Sequence, residues 1–180
     1  MNIGLRFTGF FILLLLLLLL FIFVIQVIRY MFKKTKFPKK LAITIAIVFA
    51  ILLAIFIRIN FFFTFESIDR TWIQEGSLPA TSPNEQYVAK SYYEPYGGAV
   101  GGVNMWVEVT DLVTDTTKVI YYADAKNYVS LQWQDDTTLF VTNGNRSKLL
   151  NVETEIYHEN GLACQSLVMR SRYETCYQAK

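Results

Sequence analysis

Two long stretches without a charged residue dominate the first third of the chain. The first covers residues 7–28 and has eight successive leucines at its centre, and the second covers residues 41–57. Apolar residues resume after Arg58 and continue to position 65. An α-helix needs about 20 apolar residues to cross the roughly 30 Å hydrocarbon core of a bilayer. The pattern therefore predicts two N-terminal transmembrane α-helices, at about 7–28 and 41–61.

From Glu85 onward, apolar and polar residues alternate with a period of two, as where Val107 and Val109 flank Glu108. Strict alternation is typical of half-buried strands. Short polar breaks separate the runs, and Asn143-Gly144 is a strong hairpin signal. We expect a mainly-β domain after the helices, built as an antiparallel meander or small sandwich of about six strands. The expected strands are 87–93, 103–110, 118–122, 128–133, 137–142 and 150–156.

These patterns divide the chain into three parts. Residues 1–65 form a membrane anchor, with a loop at 29–40 between its two helices. Residues 66–84 form a connector, because Gly, Ser and Pro interrupt any periodicity there. Residues 85–180 form the β-domain and a C-terminal tail.

Charge follows the same division. All 15 acidic residues lie at or after Glu66, and eight of the 17 basic residues precede it, so the first part carries +8 and the rest −6. This distribution excludes a single soluble globular domain, and two apolar stretches are too few for a polytopic transporter. A membrane-anchored protein with one domain of about 115 residues remains.

The loop between the predicted helices contains six cations and no acid. Short loops rich in Lys and Arg stay on the cytoplasmic side. We therefore expect a two-pass protein of the cell membrane with both termini extracytoplasmic. The loop's expected partners are anionic lipid headgroups rather than nucleic acid, because it lies within a few residues of the bilayer. The cations that set this topology are Arg29, Lys33, Lys34, Lys36, Lys39 and Lys40.

Cys164 and Cys176 are the two cysteines of the chain, and both lie on the predicted outer side. An even number of cysteines in an oxidising compartment favours a disulfide, which would hold the tail in place. Free thiols are the alternative. A zinc site made with His158 is a weaker one, because zinc takes three or four protein ligands. We expect His158, at the end of a strand, to be solvated.

Few residues suggest chemistry. Tyr92, Tyr93 and Tyr96 adjoin a glycine-rich step and could form an interaction surface, because tyrosine gives large contact area at low entropic cost. Asp135 and Asp136 are the best candidates for a carboxylate-dependent hydrolase, but both fit an ordinary turn. We predict no catalytic residue, no cofactor and no metal site.

Several segments together resemble one known family. They are Ser82-Pro83-Asn84-Glu85-Gln86-Tyr87, the step Gly97-Gly98-Ala99-Val100-Gly101-Gly102, the strand 118–122 and the segment 131–139. In strand and turn pattern, residues 82–142 resemble small membrane-anchored proteins of Gram-positive bacteria that are known only as a domain of unknown function. The repeated turn-and-strand pattern also resembles β-propeller blades, but a propeller needs four or more of them. The family resemblance implies a location in the cell envelope and supplies no activity.

The sequence thus favours a non-enzymatic, membrane-anchored interaction module. The β-domain would contact another envelope protein or a wall component, while the helices contact the lipid bilayer. The alternatives are a small accessory subunit of a membrane complex and, less favoured, an envelope hydrolase.

Overall fold

A computed structural model describes residues 3–33, 39–68, 70–96, 101–126 and 128–179, with the backbone alone at 3–16, 33 and 67. The chain divides into two compact units, residues 1–59 and 60–180. Two of the loop cations, Lys34 and Lys36, and part of the glycine-rich step, 97–100, lie outside the described residues.

The first unit is helical. α1 is Ile3–Lys33 and α2 is Lys39–Phe61, so both apolar stretches form helices. α2 has 23 residues, none of them buried, and at about 1.5 Å per residue it is roughly 35 Å long. It is therefore long and apolar enough to cross a membrane. The described side chains of α1 give a shorter apolar segment, Leu17–Phe32, so among the described residues α2 alone meets that criterion.

The described part of the second unit is mainly β, as predicted, and begins with a single 3₁₀ turn, Phe65–Ser67. A short helix, α3 (Leu162–Gln165), and a second 3₁₀ turn, Met169–Ser171, lie near its end. Ten strands are described: β1 (Gln74–Glu75), β2 (Ala80–Thr81), β3 (Tyr87–Tyr96), β4 (Gly102–Asp111), β5 (Thr116–Asp124), β6 (Val129–Trp133), β7 (Thr138–Asn143), β8 (Arg146–Asn151), β9 (Glu155–His158) and β10 (Thr175–Tyr177).

The strands form two sheets. The main sheet has the order β1-β3-β4-β5-β9-β10, with β2 also paired to β3, and the small sheet has the order β6-β7-β8. One face of each sheet contributes to a common core, in which Val107 and Val109 of β4 and Leu139 and Val141 of β7 are fully or almost fully buried. This packing is a small sandwich, one of the two predicted arrangements.

The predicted sixth strand, 150–156, is wrong. The structure has two strands there, β8 and β9, separated by a turn at 152–154. Val152 lies in this turn and is buried, which explains why an apolar residue stands there. The alternation of apolar and polar residues therefore runs through the turn and conceals it. A pure antiparallel meander is also wrong, because β9 pairs in parallel with β5, and β10 in parallel with β9. Local periodicity does not report such long-range pairing.

The other face of the main sheet is covered by two segments that are far apart in sequence. We call them the covering layer: residues 63–68 and 70–73, which follow α2, and residues 163–176 of the tail. Phe65 and Met169, one from each segment, are both buried against Trp106 of β4 and Val119 of β5. The predicted connector, 66–84, thus contributes to this layer, and its β1 and β2 extend the sheet beside β3.

Side chains of Asn and Asp shape the turns. Asn84, Asp111, Asp135 and Asn151 each accept a hydrogen bond from the backbone N–H two residues further on, at 2.9–3.1 Å. Such Asx turns favour these residue types for this geometric reason. The predicted hairpin at Asn143-Gly144 is confirmed, with Gly144 at φ 61° between β7 and β8, a conformation that glycine adopts without strain.

Candidate functional site

A cleft of about 250 Å³ opens where the β5–β6 connection meets the β7–β8 hairpin. We call it the Tyr128 cleft; the residues that line it are Lys126, Tyr128, Gly144, Asn145 and Arg146. Two hydrogen bonds between the β7–β8 hairpin and the β5–β6 connection determine the shape of the cleft. The Gly144 N–H donates to the Tyr128 carbonyl at 2.8 Å. The buried side chain of Asn143 accepts the Lys126 N–H at 2.8 Å.

The functional groups of the Tyr128 cleft face solvent. Tyr128 is 57% exposed, and among the described residues the Lys126 ammonium has no hydrogen-bond or ion-pair partner. Arg146 pairs with Glu159, and this carboxylate raises the pKa of the guanidinium above its usual value. The cleft therefore offers one free cation, one neutralised cation and an aromatic ring. Such a set can hold an anion beside a ring or an apolar group.

A second cleft, of about 220 Å³, lies at the end of the sandwich around Tyr87. The Tyr87 hydroxyl donates to the Glu153 carboxylate at 2.7 Å, and the Lys118 ammonium donates to the Glu153 carbonyl at 3.2 Å. Burial, and then Glu153, raise the pKa of Tyr87 to about 12. Burial also lowers the pKa of Lys118. A tyrosine that holds its proton this firmly is a hydrogen-bond donor rather than a nucleophile, so we assign a structural role to its contact with Glu153.

The aspartates considered for hydrolysis lie in the β6–β7 turn. The Asp135 carboxylate accepts backbone hydrogen bonds from Thr137 at 2.9 Å and Thr138 at 2.7 Å. These bonds lower the pKa of Asp135 below its usual value. Asp136, its neighbour, is exposed. The geometry of Asp135 is therefore that of a turn residue.

The three predicted surface tyrosines do not form one patch. Tyr92 stacks on Trp106 with ring centroids 5.7 Å apart, on the side of the covering layer. Tyr93, one position on, packs against the common core on the opposite face. The Tyr96 hydroxyl donates to Asp124 at 3.2 Å.

Sequence reasoning missed Tyr128, although a signal was present. The predicted turn at Asp135-Asp136 joins β6 to β7, and in the register of that pair Val129 of β6 lies opposite Asn143. The residue before Val129 therefore falls beside the hairpin loop. Following this register through the turn would have placed Tyr128 there.

His158 is buried, and the prediction of a solvated side chain is wrong. It is 1% exposed and lies 5.0 Å from both the Phe63 and Tyr122 rings, measured between centroids. Neither ring nitrogen has a hydrogen-bond partner among the described residues. Burial lowers the pKa of His158 to about 4, so the imidazole is neutral at pH 7. The cause of the error is the parallel pairing of β9, which puts the strand inside the main sheet.

Cys164 of α3 and Cys176 of β10 are joined as a disulfide, with their Cα atoms 5.3 Å apart. The bond lies within the covering layer and ties the helix to the edge strand of the main sheet. It leaves neither thiolate for the zinc site considered with His158. Among the described residues, no group of three His, Cys, Asp or Glu side chains is placed to hold a metal ion.

The predicted topology residues lie at helix ends where they are described. Arg29 is near the end of α1, and the backbone of Lys33 ends that helix. Lys39 and Lys40 begin α2 and are exposed.

Comparison with curated proteins and with solved structures gives no match. The sequence model of one family matches residues 36–160, which include α2 and most of the β-domain, with both clefts. This match agrees with the predicted resemblance to a domain of unknown function. The chain belongs to the family described as "Family of unknown function (DUF5412)".

Proposed function

We propose that the protein is a two-pass protein of the cell membrane whose β-domain is a non-enzymatic binding module on the extracytoplasmic side. α1 and α2 would be the two spans. The length and apolar surface of α2 support its assignment, and the uncharged sequence at 7–28 supports that of α1. The basic loop between them favours a cytoplasmic position for the loop.

The disulfide supports the same orientation on independent grounds. Disulfides persist in oxidising compartments and are rare in the cytoplasm. The Cys164–Cys176 bond lies in the β-domain, and the excess of cations lies in the loop on the other side of α2. Charge and redox chemistry therefore support the same side for the domain.

The observation that carries the binding role is the Tyr128 cleft. Its Lys126 ammonium is free among the described residues, and the ring beside it is exposed, in a part of the chain that carries −6 overall. A cation in an otherwise acidic domain attracts an anionic ligand at that point. The negative charge elsewhere on the domain repels the same ligand. The ligand would be an acidic component of the envelope, held by the ammonium and the Tyr128 ring.

Binding is favoured over hydrolysis because Asp111, Asp135 and Glu153 form hydrogen bonds that stabilise the fold. Asp111 and Asp135 accept backbone hydrogen bonds in turns, and Glu153 holds Tyr87. A hydrolase would need one carboxylate free to act as acid and another as base or nucleophile.

One observation favours a second candidate, an accessory subunit of a membrane complex. Within the helical unit, an apolar groove of about 330 Å³ is lined by Leu20, Phe23, Ala42, Ile45, Ala46 and Phe49. Small residues such as Ala42 and Ala46 allow close approach of another helix. If a partner helix binds there, Ala46→Phe should release it while leaving ligand binding by the β-domain intact.

The binding role is tested by charge reversal in the full-length protein, purified in mild detergent after crosslinking in cells. Lys126→Glu places an acid in the Tyr128 cleft, and Lys90→Glu makes the same change at an exposed position of β3, where Lys90 has no ion pair among the described residues. We expect the first variant to lose a co-purified acidic component about tenfold and the second to retain it. Equal recovery with both variants, or no component after crosslinking, would contradict the proposal.

A further inference from the structure

Leu167 is an exposed apolar residue in a partly buried turn. It lies between α3 and the second 3₁₀ turn and is 60% exposed. Ser166 before it is fully buried, and Met169, two positions on, is almost so. The turn thus holds its neighbours inside the covering layer and presents the Leu167 side chain outward.

Hydrogen bonds place this turn beside the end of α2. The Leu167 N–H donates to the carbonyl of Phe61, the last residue of the helix, at 2.9 Å. The Ser166 hydroxyl donates to the carbonyl of Phe63 at 2.6 Å. The last carbonyls of a helix have no partner within it. The tail therefore supplies partners where the chain leaves α2, and Leu167 is held one hydrogen bond from that point.

The exposed side chains at this place have the composition of a bilayer interface. Phe61, whose carbonyl accepts the Leu167 N–H, is exposed, and so is Phe62, the next residue. Arg170, in the 3₁₀ turn that follows, is exposed as well. In interfacial segments, Phe and Leu side chains enter the boundary between headgroups and acyl chains, and arginine attracts anionic headgroups.

We infer that the Leu167 turn is a second membrane contact, which inserts into the lipid bilayer next to the point where α2 leaves it. The occupant is a lipid surface, because the exposed residues are continuous with the end of the helix proposed to span the membrane. The inference rests on the proposed span α2. The Cys164–Cys176 bond would hold the turn in place.

The test uses the full-length protein made with a photoreactive diazirine analogue of leucine. The protein is reconstituted into nanodiscs of phosphatidylcholine and phosphatidylglycerol, irradiated, and mapped for lipid adducts by mass spectrometry. Leu53 of α2 and Leu149 of β8 are both 46% exposed and serve as matched references inside the same molecule. Leu167→Ser should remove the adduct from the tail peptide, which assigns it to that residue rather than to Leu162.

We expect adducts at Leu53 and Leu167 at least tenfold above those at Leu149. If Leu53 forms adducts but Leu167 forms no more of them than Leu149, the membrane contact is overturned and the span is not. Absence of adducts at Leu53 would overturn the span, and the contact with it. An adduct that persists in the Leu167→Ser variant would also overturn the contact.

Discussion

The hydroxyl of Ser166 donates a 2.6 Å hydrogen bond to the carbonyl of Phe63, 103 positions earlier in the chain. The bond joins the segment that leaves α2 to the C-terminal tail, and both segments cover the same face of the main sheet. The β-domain is thus completed by the stretch of chain that connects it to its proposed anchor. Domain stability and the structure of that stretch are therefore linked.

Ser166→Ala should destabilise the domain. The hydroxyl also accepts a hydrogen bond from the Met169 N–H at 3.2 Å, so its loss leaves the buried Met169 N–H and the partly buried Phe63 carbonyl without this partner. Such losses cost about 1–3 kcal/mol. We expect a melting temperature several degrees lower, measured on the full-length protein in detergent.

Ser171→Ala is the control, because the Ser171 hydroxyl also donates to a backbone carbonyl, that of Val168, but in an exposed position. We expect little change there. If the two variants melt at the same temperature, the junction at Ser166 does not stabilise the domain.

The covering layer shows what the sequence could and could not predict. The helices and five of the strands could be predicted because period and charge report local structure directly. The layer could not, because neither 63–73 nor 163–176 has a regular period. Each segment follows a face of the main sheet, and part of that face comes from β9, which inserts in parallel beside β5.

Reduction of the disulfide should loosen the tail. Cys164 and Cys176 are 12 positions apart, and closing a loop of this length contributes about 3 kcal/mol in the chain-entropy model. We expect reductant to raise hydrogen exchange at β10 while the common core stays protected. The double variant Cys164→Ser/Cys176→Ser should show the raised exchange without reductant and no response to it. Unchanged exchange at β10 after complete reduction would contradict this role.

His158 should make the stability fall in mild acid. Its pKa in the folded protein is lowered to about 4 from the usual 6.5, so the unfolded chain binds more protons between these values. The stabilisation is complete above pH 6.5 and is lost as the pH falls towards 4, by up to about 3 kcal/mol at 1.36 kcal/mol per pKa unit.

The matched variant is His158→Phe, which keeps an aromatic ring against Phe63 and Tyr122 and cannot be protonated. Carboxylates titrate in both proteins, so the difference between the two curves isolates His158. We expect the free energy of unfolding, measured between pH 7 and pH 4, to fall less steeply in the variant. Identical slopes would show that His158 does not control the acid response.

Substitutions at Asp135 distinguish a role in the turn from a catalytic role. Asparagine keeps the acceptor oxygen for the Thr137 and Thr138 N–H groups, whereas alanine removes it. We expect Asp135→Asn to melt close to the wild type, Asp135→Ala to melt lower, and Asp136→Ala to change little. The hydrolase alternative predicts that Asp135→Asn and Asp136→Ala abolish cell-wall turnover by a folded protein, and that result would replace our account.

The Tyr128 cleft was harder to anticipate than the fold. Its residues come from two connections, and the side chain of Asn143 brings them together by accepting the Lys126 N–H and donating to the Asp124 carbonyl. Separately, Lys126 and Tyr128 look like ordinary loop residues. The site depends on tertiary register, whereas the tyrosines that stood out in the sequence, such as Tyr92, pack inside the domain.

The side of the membrane on which the β-domain lies is the central claim, and labelling of Cys164 and Cys176 on intact cells tests it most directly. A membrane-impermeant maleimide is applied with and without prior reduction. A Lys40→Cys variant without the native cysteines marks the opposite side. We predict labelling of the native pair on intact cells only after reduction, and of the loop cysteine only after lysis. Labelling of the native pair only after lysis, whatever the reductant, would contradict the account.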